Sequence, residues 1–80
     1  MIKSQTILTI TYPNGASRSI MTGKDGSSFR VRTASGKVSR VGLRTTYELI
    51  EEFDRLCNEG QASLTFIDDD AVAGIRRYFS

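Results

Sequence analysis

The side chains best equipped for chemistry in this sequence are cations set close together. Arg30, Arg32, Lys37 and Arg40 fall within eleven residues, and no acid interrupts them. A guanidinium stays charged at any accessible pH and presents a planar fork of donors, which suits bidentate bonding to phosphate or to a guanine edge. Arg18 and Arg44 lie to either side of that stretch and join it as candidate binding residues. A second set is acidic: Glu48, Glu51, Glu52 and Asp54, with Glu59 shortly after and Asp68-Asp69-Asp70 further on. Carboxylates could hold Mg²⁺, but such a site needs several converging oxygens. A run of acids that opens a helical pattern reads instead as a cap, so no metal site is assigned. Nucleophilic catalysis is poorly supplied, because the chain has no histidine to form a Ser-His or Cys-His pair. No glycine spacing matches a phosphate-cradling loop. The expectation is a protein without cofactor or catalysis, whose work is binding.

The elements that must position these cations are read from residues 28–57. From Phe29 the side chains alternate, with Phe29 and Val31 on one face and Arg30 and Arg32 on the other. The turn at Ala34-Ser35-Gly36 decides what the returning strand shows. A two-residue turn at Ser35-Gly36 would set Val31 opposite Arg40 and spoil both faces. A three-residue loop with Gly36 in the left-handed bend sets Phe29 opposite Val41 and Arg30 opposite Arg40. The second register is the consistent one. It places Arg30, Arg32 and Arg40 on one face, with two like charges directly opposed and open to compensation by an anion. Thr45 as N-cap with Glu48 three residues later then forms a capping box. Leu49, Ile50, Phe53, Leu56 and Cys57 recur at helical spacing behind it, and Gly60 ends the helix.

Before this unit, residues 2–12 read as a strand with Leu8, Ile10 and Tyr12 on one face. Asn14-Gly15 is a hairpin signal, since both residues accept positive φ. The return strand covers residues 17–22; a two-residue loop would bring Met21 inward and a three-residue loop Ile20. Gly23-Lys24-Asp25-Gly26 reads as a further turn. After the helix, Leu64 and Phe66 alternate with Ser63 and Thr65 as a short strand. Asp68-Asp69-Asp70 caps a last helix that ends in Arg76-Arg77, in agreement with the helix dipole. Val72, Ile75 and either Phe79 or Tyr78 form its buried side. The order ββββαβα implies an α+β, two-layer domain: an antiparallel sheet of four to five strands with two helices on one face.

Eighty residues make one domain, 1–80, with a single small core. Its single cysteine excludes an internal disulfide, and Cys57 reads as a buried hydrophobe in a reduced, cytoplasmic setting. No stretch approaches the roughly 18 apolar residues of a membrane helix, and the first residues do not open a secretory signal. A start at Met1 and an end just after the last helical pattern suggest a free-standing protein. The net charge of +2 conceals a division: residues 1–44 hold eight Lys/Arg and one acid, and residues 45–80 hold three Arg and eight acids. Such a chain can engage an anionic surface without being cationic overall.

The run Phe29-Arg30-Val31-Arg32, the turn at Gly36-Lys37, Val38-Ser39-Arg40-Val41-Gly42 and the Thr45-Thr46 helix opening resemble the sheet-plus-helix unit of two DNA-binding families. These are the ethylene-response-factor type domains and the arm-binding domains of phage integrases. The resemblance covers about thirty residues and implies a sheet laid in the major groove, with strand Arg and Lys touching bases and phosphates. The chain departs from both families by residues 61–80 and by lacking a strand Trp. Taken whole, as a small α+β domain with divided charge and no active site, it also resembles the inhibitors made by phages and mobile elements, notably anti-CRISPR proteins. That likeness rests on no motif. It implies a monomer or small homo-oligomer docking on a nucleic-acid-handling protein complex, CRISPR effectors among them, through the arginine strip or the acidic helix. The inhibitor is the leading expectation, and a module reading duplex DNA through the basic sheet is its alternative. An assembly protein that pairs through a strand edge is the third.

Overall fold

The computed structural model describes residues 5–23 and 28–79. Its elements are β1 (Gln5–Thr11), β2 (Ser17–Thr22), β3 (Phe29–Arg32), β4 (Val38–Val41), α1 (Leu43–Asn58), β5 (Ser63–Phe66) and α2 (Asp69–Tyr78). The strands form one antiparallel sheet in the order β4-β3-β2-β1-β5, so the α+β, ββββαβα reading holds. The two edges are β4 and β5, and β5 returns from α1 to pair with β1.

The β1–β2 and β3–β4 hairpins close by the same device. In the first, Tyr12 and Ala16 share a backbone hydrogen bond across Pro13-Asn14-Gly15; in the second, Thr33 and Lys37 do so across Ala34-Ser35-Gly36. The third loop residue is Gly15 or Gly36, at φ +88° and +90°. A side chain there would crowd the neighbouring carbonyl, which is why glycine holds the position. Of the two residues that accept positive φ, only Gly15 takes it: no non-glycine residue among those described does so. Its Oδ1 accepts instead from the Ala16 N–H at 2.9 Å, closing an Asx turn. The three-residue loop brings Ile20 inward, opposite Leu8 and Val31. Met21 is buried as well, on the other face, where it lies opposite Thr6 and Arg30.

Strict alternation along β1 fails at one point. The register shifts between Thr6 and Leu8, so that Ile7 is an extra residue on the strand. The bulge lets adjacent Ile7 and Leu8 both enter the core, and the Ile7 carbonyl accepts from the N–H groups of Ile67 (3.0 Å) and Asp68 (3.1 Å). Residues 2–4 of the expected strand, and Lys24, Asp25 and Gly26 of the expected turn, lie outside the described residues.

The core joins Ile7, Leu8, Ile10, Ile20, Phe29 and Val31 of the sheet to Ile50 and Phe53 of α1 and Val72 and Ile75 of α2. The capping box at Thr45 and Glu48 is overturned, because α1 starts three residues earlier with Gly42 as N-cap. An early start lets Leu43 pack on the core, and fully buried Thr46 donates its hydroxyl to the Gly42 carbonyl at 2.8 Å. Side-chain burial outweighs a cap worth about 1 kcal/mol. At the other end the Gly60 N–H donates to the Cys57 carbonyl and the Gln61 N–H to that of Leu56, a Schellman closure with Gly60 at φ +75°. Cys57 is half-buried, not sealed in the core. In α2 the Asp68 side chain accepts from the Ala71 N–H at 3.1 Å. Phe79, not Tyr78, closes the buried side: it stacks on Tyr47 at 4.6 Å, whereas Tyr78 is 72% exposed. Among the described residues no helix is long and apolar enough to cross a membrane.

Candidate anion-binding face

With both helices on one side, the other face of the sheet carries the alternate residues of every strand. Register sets Arg30 opposite Arg40 and Arg32 opposite Val38, as the three-residue loop requires. Moving across the sheet, Arg32 lies opposite Ser19, and Ser19 bonds Thr9 through their hydroxyls at 3.1 Å. Thr11, Ser17, Ser63 and Thr65 continue the same face on β1, β2 and β5. The outer surface is therefore a hydroxyl-lined sheet with arginines concentrated on its β3–β4 side. None of the described residues on this face is acidic.

Helix cover stops short of β4. Val38, Ser39 and Arg40 are all exposed, although Ser39 points to the helix side opposite Val31. The β3–β4 hairpin is thus a ribbon open on both faces at its outer strand, with Lys37 exposed just past its turn. Arg32 and Arg40 are exposed, and Arg30 is half-buried next to the buried Met21 side of the sheet. One residue of the face was not among the candidates: Val38, 44% exposed between the guanidiniums. Its strand alternation with Arg40 was visible, but a valine signals core until the missing helix cover is known.

Two candidates lie elsewhere. Arg18 falls on the helix side, opposite Ile10, and its guanidinium carbon sits 5.5 Å from the centroid of the Phe53 ring. It is a half-buried cation–π partner of the core and does not reach the outer face. Arg44 belongs to the first turn of α1 and faces Glu48 at 3.7 Å, both well exposed. The acidic set is also divided. Glu51 and Asp54 approach Arg76 of α2 at 2.9 and 3.7 Å, tying the two helices together, and Glu52 remains on the exposed side. These pairs are about 40% exposed and contribute little stability. One arginine shared by two carboxylates leaves this helix surface acidic, with Glu52 and Glu59 exposed beside it.

The outer ribbon can bind anions by charge and by donor geometry. It offers three guanidiniums on the outer face, with the Lys37 ammonium exposed beside them at the turn, and none of the described residues of that face is acidic. No protein-family model matches this chain, and searches of curated proteins and of solved structures find no match either.

Proposed function

We propose that this chain is a non-enzymatic binding protein that lays its β3–β4 ribbon against duplex nucleic acid. The observation that carries the reading is the position of Arg30, Arg32 and Arg40 together on the sheet face opposite the helices, where none of the described residues is acidic. A major groove about 12 Å wide admits a two-stranded ribbon, and the spacing of about 4.8 Å between strands puts Arg30 and Arg32 of β3 and Arg40 of β4 within reach of its edges and phosphates. Arg30 and Arg40, directly opposed, lose their mutual repulsion when a phosphate lies between them.

A second reading takes the same face to an acidic surface of a nucleic-acid-handling protein complex, as an inhibitor of the anti-CRISPR type would. Val38 favours it, since an exposed aliphatic side chain among arginines suits a protein interface. Fluorescence anisotropy with random-sequence duplex DNA at 50 and 200 mM salt separates the two. Binding that weakens steeply with salt supports the nucleic-acid reading. Absence of binding at both salts overturns it and leaves the protein surface as the partner.

A further inference from the structure

The two edges of the sheet are guarded very differently. Natural edge strands are protected from pairing by charge, proline, bulges or cover. On β4 the protection is Arg40, with Lys37 just before the strand. The β5 strand, Ser63-Leu64-Thr65-Phe66, has no charge and no proline, and its end exposes Phe66 (45%) and Ile67 (53%). Phe66 lies opposite Leu8 and therefore points to the helix side. There α2 presents Asp69, Val72, Ala73 and Arg76 to it across a groove of about 500 Å³.

The backbone of β5 shows which groups remain for a partner. The Ile67 N–H bonds the Ile7 carbonyl, so the amides of Ser63, Thr65 and Ile67 turn toward β1 and those of Leu64 and Phe66 turn away from it.

We propose that β5 is a homodimer interface, and that a second copy of this chain pairs its own β5 antiparallel to the first about a two-fold axis at Thr65. That register satisfies every outward backbone group. Leu64 exchanges both hydrogen bonds with Phe66 of the partner copy, and Phe66 does the same with the partner copy's Leu64. The two Phe66 side chains then cover the Leu64 positions on the helix side. The axis stands perpendicular to the sheet, so the two α2 helices run antiparallel on the same side of a ten-stranded sheet. Their facing flanks carry Asp69 at one end, Ala73 at the centre and Arg76 at the other. Reversal sets Asp69 of each flank toward the Arg76 end of its partner, where Arg76 is shared with Glu51 and Asp54 of its own chain. The self-complementarity of the patch therefore lies in the uncharged strand, Phe66 and the small Ala73 at the centre. Pairing two β4 edges would instead gather Lys37, Arg40 and their copies. A closed two-fold pair also leaves no free uncharged edge, which an open chain of copies would.

The test uses the full chain. Sedimentation or light scattering across a concentration series should show the mass rising from 8.9 kDa to twice that value. Phe66→Lys, at an exposed position, should keep the native circular dichroism and hold the mass at the lower value. In a Cys57→Ser background, Thr65→Cys lies on the axis in a close, non-hydrogen-bonded pair. Mild oxidation should give a disulfide-linked dimer, whereas Ser39→Cys on β4 should not. A mass of 8.9 kDa at every concentration, dimerisation that survives Phe66→Lys, or equal cross-linking through Ser39→Cys overturns the proposal. The arginine ribbon lies at the opposite edge, so loss of DNA binding leaves these outcomes unchanged.

Discussion

Replacing Arg30 and Arg40 together by glutamine should change how binding depends on salt by an amount the structure sets. Four cations belong to the ribbon: Arg30, Arg32, Lys37 and Arg40. Arg18 is committed to the Phe53 ring and Arg44 to the helix, so neither counts. If each of the four neutralises one phosphate, the slope of log affinity against log salt is about −3.6, at about −0.9 per phosphate. A fourfold rise in salt, from 50 to 200 mM, then weakens binding by roughly 150-fold. Removing two contacts halves the slope to about −1.8, and the same rise in salt costs only about 12-fold. Anisotropy titrations of both proteins at four or five salt concentrations measure this. Circular dichroism and the melting temperature check that the variant is folded. An unchanged slope in a folded double variant refutes the assignment of Arg30 and Arg40 to the interface. A native slope near −5.4, as six contacts would give, refutes the exclusion of Arg18 and Arg44.

Phe53 is fully buried, and Phe53→Ala should cost about 3–5 kcal/mol, a large part of the total stability of a domain this small. Urea denaturation reads it, and a loss below about 1 kcal/mol would mean that the core closes without this ring. Gly36→Ala has open space for its methyl group but keeps φ at +90°, so the cost is backbone strain of about 1–2 kcal/mol. Gly36→Asn should cost less than the alanine variant, and the reverse order in denaturation midpoints would contradict a left-handed loop. Asp68→Ala should destabilise by about 0.5–2 kcal/mol and speed hydrogen exchange at Ala71, while amides of the sheet core keep their protection.

Short-range regularities in the chain were sufficient for the elements and for the ribbon. Alternation from Phe29 to Arg32, together with a glycine three residues past Thr33, determines the Arg30–Arg40 register, because a one-residue slip would turn every side chain to the wrong face. Helical spacing likewise identified Ile50 and Phe53, and the acid-first, base-last pattern marked α2. What the chain alone left open depends on contacts between distant residues. The bulge at Ile7 exists because β5 and the turn before α2 arrive beside β1 and take its carbonyl. The start of α1 moved to Leu43 because packing outweighed a local cap. Arg18 and Arg40 are the same kind of residue on neighbouring parts of one sheet. One lies over Phe53 and the other is exposed, and only the side on which the helices pack distinguishes them. Periodicity specifies which residues share a face, but which face the rest of the chain covers is a tertiary outcome, set by where the apolar sides of α1 and α2 find the most surface to bury.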